Sequence, residues 1–78
     1  MIYASDAQIR LIHRRLYWCD GYLDPDEIAL IKSHRWSNIE AHVLIDDLFK
    51  ITAPCVTDAE KADRETAIKS IRITLSKV

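Results

Sequence analysis

Glycine is nearly missing from this chain. Its 78 residues include one glycine, Gly21, and two prolines, Pro25 and Pro54. Tight hairpins draw on those residues, so their scarcity disfavours a sheet of short strands and favours helices joined by short links. It also removes the glycine-rich loops that cradle phosphates, and no serine has a nucleophile-elbow context. Two cysteines, Cys19 and Cys55, are too few for a disulfide framework and fit a reducing compartment. With His13, His34 and His42 they make no finger, ribbon or His-x-x-x-His spacing, so no metal site is expected. No apolar run approaches the length of a bilayer span. The opening Met1-Ile2-Tyr3-Ala4-Ser5-Asp6 lacks the basic-then-apolar order of a secretory signal, so a cytoplasmic location is expected. The formal net charge of −1 gives no global attraction to nucleic acid or to an anionic membrane. Neither an enzymatic activity nor a cofactor is expected.

Hydrophobic residues make up 49% and charged ones 29%, a balance that supports one folded domain over residues 1–78. Four helix-start signals punctuate it. Ser5-x-x-Gln8, Asp24-Pro25-x-Glu27, Ser37-x-x-Glu40 and Thr57-x-x-Glu60 each have a capping residue and an acceptor three positions on. Behind Ser37, the residues Ala41, Leu44, Ile45, Leu48 and Ile51 recur at helical spacing, which predicts a central helix over 37–51. The first helix runs from Ser5 to about Trp18–Asp20, with Ile9, Ile12 and Leu16 on its stripe and His13 on the same side. Gly21 stops it. A short second helix reaches about His34. A fourth runs from Thr57 to about Ser76, with its first half more exposed. The predicted fold is all-α, a compact bundle of about four helices.

Candidate functional residues lie on the surface of that bundle. With successive helices running up and down as neighbours, Asp20, Asp24, Asp26, Glu27, Asp46, Asp47, Asp58, Glu60 and Asp63 gather near one end, and Lys32, His34, Arg35, Arg72 and Lys77 near the other. Carboxylates favour helix N-termini, which accounts for much of the acidic end. Asp46 and Asp47 lie late in the third helix and escape that explanation, so they are candidates for contacts outside the chain. The same arrangement puts Cys19 and Cys55 at one end, where they could come near each other. Trp18 and Tyr22 bracket the first turn and Trp36 sits in the second. They serve as loop clamps or as interface anchors, since Trp and Tyr are the commonest anchors. Leu11, Trp18, Ile39 and Val43 fall off the core stripes, which suggests a contacted second face or a homodimer. Helices two and three invite a helix-turn-helix reading. Against it, Lys32 stands where an apolar residue is expected, and the would-be recognition helix carries Glu40, Asp46 and Asp47.

Two stretches carry a resemblance. Ser5-x-x-Gln8-x-x-x-Ile12-His13 and Ser37-x-x-Glu40-Ala41-x-x-Leu44-Ile45-Asp46-x-Leu48 are similar to a pattern in small helical phage proteins. It occurs in the Mu-type phage regulatory protein family and in tails of phage recombination and DNA-processing proteins. The chain differs from that pattern at His42, where a small residue is usual, and has few basic segments. The resemblance implies a phage or mobile-element origin, a bacterial host cell and no catalytic site. Small phage proteins often act by binding host proteins, and by analogy the anti-CRISPR inhibitors are one such class.

The function expected is therefore a protein-binding module for a host protein or nucleoprotein complex. Its candidate contact residues are Trp18, Asp20, Tyr22, Asp24, Trp36, Val43, Asp46 and Asp47. The alternatives are an accessory protein touching nucleic acid through Arg10, Arg14, Arg15 and the basic end, and a structural homodimer.

Overall fold

A computed structural model describes all 78 residues, Met1 to Val78. The chain forms four helices and no strand: α1 (Asp6–Tyr17), α2 (Pro25–Ser33), α3 (Asn38–Thr52) and α4 (Asp58–Ser76). The all-α bundle predicted from the sequence is the fold observed, and each helix starts at its signal. Ser5, Ser37 and Thr57 accept hydrogen bonds from the amides of Gln8, Glu40 and Glu60, whose side chains reach back to the cap amides. At α2 the reciprocal half is the well-formed one, with the Asp24 amide donating to Glu27 Oε1 at 2.9 Å. The first helix ends at Tyr17, and Gly21 takes a φ of +91° inside the turn that follows. That conformation favours glycine. Both the Tyr22 and Leu23 amides donate to the Cys19 carbonyl, which closes the turn.

α3 is the central element. It packs against α1 on one side and α4 on the other, and α2 closes the ring by touching α1 and α4. Leu16, Leu48, Ile51 and Ile71 are sealed from solvent at its centre, with Ile31 of α2. Burial of one such side chain contributes about 1.5–3 kcal/mol. The early half of α4 is exposed, as its composition predicts, and Ala67, Ile71 and Leu75 carry its buried line.

Two expectations fail here. The buried line of α1 is Ile12, Leu16 and, past its end, Cys19, so Ile9 and His13 lie at the surface. Gln8 occupies the inner edge instead, because its Nε2 donates to the Asn38 carbonyl at 3.2 Å and draws that side of α1 toward α3. Nor do successive helices all pack as neighbours. The backbones of α2 and α3 do not approach each other, so no helix-turn-helix unit forms. Their link is extended at His34 and Ser37 and lies against the N-terminal segment. There the Ala4 amide donates to the Trp36 carbonyl at 3.0 Å, and the Asn38 amide to that of Ile2 at 2.9 Å.

Leu48→Ala is expected to lower unfolding free energy by about 2–5 kcal/mol in urea titrations. Ile39→Ala, on the exposed face of the same helix, is expected to change it by less than about 0.5 kcal/mol. The capping glutamates set an acid limit. Cap hydrogen bonds hold Glu40 and Glu60 below the usual glutamate range, and the Arg72 bond does the same at Glu27. The folded chain therefore releases those protons more readily than the unfolded chain. Their stabilisation is complete above the ordinary value of 4.5 and is lost as pH falls through the lower folded values. Thermal melts between pH 6 and pH 3 are expected to show a shallower acid loss in Glu40→Gln/Glu60→Gln than in wild type.

Candidate functional site

Trp36 is not a surface residue. It is 5% exposed, and its indole Nε1 donates to the Ile31 carbonyl at 3.0 Å. The His34 ring stands edge-on to it, 4.3 Å between centroids. The extended link points the indole into the core, and the N-terminal segment pairs with its backbone, so Trp36 clamps a loop and cannot anchor a partner. It lines a concavity of about 420 Å³ between α1 and the end of α2, with His13, Ser33 and His34 on the rim. Ser33 there donates to the Leu30 carbonyl rather than to a histidine.

The acidic end is likewise redistributed. Glu27 of α2 and Arg72 of α4, expected at opposite ends, pair at 3.0 Å. This follows from α2 lying against α4. Asp46 stays exposed but pairs with Lys50 one turn on, at 3.3 Å. Asp47 is 9% exposed and faces inward toward α4. It stands three residues after Leu44 and four before Ile51, so the rotation that buries those two buries it as well. Burial raises its pKa from the ordinary aspartate value, an effect that the Ser70 hydroxyl of α4 and the charge of Lys50 offset only in part. Asp46 and Asp47 therefore serve different faces.

Aromatic exposure concentrates at the α1–α2 turn. Trp18 is 61% and Tyr17 76% exposed, and their rings meet edge to face at 5.2 Å. Both extend beyond the last turn of α1, outside the line of Ile12, Leu16 and Cys19. Below them opens a shallow concavity of about 740 Å³, whose lining includes Trp18, Asp20, Pro25, Ile28, Ala29 and the cation Lys32. Asp20 and Asp24 are exposed beside it. Tyr22 is less free, because the Arg64 guanidinium lies 4.6 Å from its ring centre. Arg64 also donates to the Ala53 carbonyl at 3.3 Å, tying the α1–α2 turn to the α3–α4 turn. These turns share one end, and both cysteines are free thiols there. Cys19 is sealed, and burial pushes its thiol up to about 11, whereas Cys55 donates toward the Ala53 carbonyl.

The structure thus sorts the candidate residues into separate places. Trp18, Asp20, Tyr22 and Asp24 share the α1–α2 turn. Val43 and Asp47 line one groove between α3 and α4. Trp36 is core and Asp46 is ion-paired. The sequence reading missed the α4 side of that groove, Thr74, Lys77 and Val78, because pairing across helices is not visible in spacing along one of them.

Trp36→Ala is expected to cost about 3–5 kcal/mol in chemical denaturation, whereas Trp18→Ala is expected to stay within about 0.5 kcal/mol of wild type. Single-tryptophan variants report the same difference, with Trp18 fluorescence quenched by iodide and Trp36 fluorescence shielded. Comparison with protein-family models, curated proteins and solved structures gives no match to this chain.

Proposed function

We propose that the protein is a small non-enzymatic binding module that docks on a basic face of a host protein or nucleoprotein complex through its α1–α2 turn. The observation that supports this reading is the exposure of Trp18 and Tyr17 beside Asp20 and Asp24. A tryptophan held in water on a folded surface gains by being covered, and such anchors contribute about 2 kcal/mol or more to a complex. The neighbouring carboxylates steer a basic partner toward it. A nucleic-acid-binding groove has that sign. With the phage-type sequence pattern, the mode of action proposed is inhibition by occupying such a groove, as anti-CRISPR proteins do by analogy. Direct contact with nucleic acid is the weaker reading. Of the three α1 arginines, Arg15 lies over the Phe49 ring at 3.9 Å, which leaves Arg10 and Arg14 exposed.

The test is kinetic. A partner retained from bacterial lysate is purified and its binding followed by surface plasmon resonance. Trp18→Ala is expected to speed dissociation at least about tenfold. Asp20→Lys is expected to slow association at low salt and to matter less at physiological salt. Wild-type rates in both variants would remove this surface from the mechanism. Salt-sensitive binding to bare DNA that is lost in Arg10→Glu/Arg14→Glu would favour the nucleic-acid reading instead.

A further inference from the structure

The concavities of the protein differ in charge. The groove between α3 and the end of α4 holds Lys77 against Glu40 and Asp47, and the concavity at the α1–α2 turn holds Lys32 against Asp20. The concavity between α1 and the end of α2 holds Lys32 and Arg35 against Asp6 alone, with His13 on its rim. Of these three it is the one with a surplus of cations, in a chain whose formal net charge is −1.

Its volume of about 420 Å³ is in the range that takes a small organic molecule. Tyr3 and Ile9 stand exposed at its sides, and the buried Ile12, Ile31 and Trp36 lie beneath. The acceptors at the end of α2 are already used. The Leu30 carbonyl receives the His34 amide and the Ser33 hydroxyl, and the Ile31 carbonyl receives the Trp36 indole. Those bonds blunt the negative end of the α2 dipole. The donors are not used. No ion pair or side-chain hydrogen bond within the chain takes the Lys32 ammonium, the Arg35 guanidinium or the His13 ring. Arg35 lies 3.7 Å from the Tyr3 ring centre, a contact that engages the face of the guanidinium and leaves the N–H groups on its edge free. Asp6 is the first residue of α1, where the amides of the helix start attract its carboxylate, and it offsets one of the two cations at most. His34 is committed elsewhere, edge-on to Trp36 and acting on Glu40.

We propose that this concavity binds a small phosphate monoester with an apolar body, the phosphate held by Lys32, Arg35 and His13 and the body lying against Ile9 and Tyr3. The three donors come from separate elements, α1, α2 and the link that follows α2. A phosphate offers three terminal oxygens to such a set where a carboxylate offers two, and a guanidinium edge with an ammonium suits its charge. The site shares one residue, Lys32, with the concavity at the α1–α2 turn, and it stands whether or not that turn docks a partner.

The probes are phenyl phosphate, inorganic phosphate, benzoate and phenol, each titrated into the ¹⁵N-labelled full chain by NMR near neutral pH and at low salt. Phenyl phosphate is expected to bind with a dissociation constant of about 1 mM or tighter, and each of the other three at least about fivefold more weakly. The shifted amides are expected at Ile9, His13, Lys32 and Arg35, with those of Trp18, Ala29 and Val43 unmoved. Lys32→Gln, at an exposed position, is expected to weaken phenyl phosphate at least about fivefold. Ile9→Glu sets a carboxylate on the exposed wall near the start of α1, where a helix tolerates it, and is expected to repel the ester. Both variants are expected to keep the circular dichroism spectrum of the wild type. No shift at about 10 mM phenyl phosphate, shifts centred elsewhere, or undiminished binding in either variant would each overturn the proposal. Any of the other three probes binding as tightly as phenyl phosphate would overturn it too. A short single-stranded DNA without terminal phosphates that moves the same amides at lower concentration would replace it with a nucleic-acid backbone site.

Discussion

Leu44, Leu48 and Ile51 of α3 fill the middle of the core, and α3 is held in that rotation from both sides. Ile12 and Leu16 come from α1, and Ala67, Ile71 and Leu75 from α4. A turn of α3 by one residue would carry all three leucine and isoleucine side chains out of the core. The chain is too small to compensate for that elsewhere. The helix therefore has one acceptable rotation, and the polar residues on it take whatever position that rotation gives them. Asp46 falls toward solvent and finds Lys50. Asp47 falls inward toward α4 and finds one hydroxyl. Burial of a carboxylate works against the fold, and the apolar contacts on either side of it outweigh that cost.

Arginines organise the periphery through their faces more than through ion pairs. Arg15 covers Phe49 between α1 and α3, Arg35 lies 3.7 Å from the Tyr3 ring, and Arg64 joins Tyr22 to the α3–α4 turn. Each contact lets a short loop or terminus rest on the bundle without using core volume. At the α1–α2 turn Asp20 and Asp24 are exposed beside Lys32, and Trp18 is left without a cover.

The helices were legible in the sequence because their starts are chemical. A hydroxyl or carboxylate followed three residues later by Gln or Glu satisfies cap amides locally, and that needs no tertiary information. The central role of α3 was legible for a similar reason, since its stripe spans the whole helix. The N-terminal pairing with the α2–α3 link was not, because two backbone hydrogen bonds, Ala4 to Trp36 and Asn38 to Ile2, join residues far apart in the chain and leave no mark on composition. That pairing, with the inward turn of the indole, is what makes Trp36 a core residue. Asp47 was legible in part. Its spacing from Leu44 and Ile51 places it on the buried stripe, but a charged residue reads as surface unless its register is counted. The groove beside it required α4 to be placed.

The central claim is that the rotation of α3 carries the Asp47 carboxylate into a buried position facing α4. Its most direct test is the titration of the Asp47 side-chain carboxyl carbon by ¹³C NMR in the free protein. The account requires a midpoint above the ordinary aspartate value of 3.8, with Asp46 in the same spectra as an exposed reference. A midpoint for Asp47 at or below 3.8 would contradict it, because it would mean that the carboxylate is solvated or paired in the folded chain.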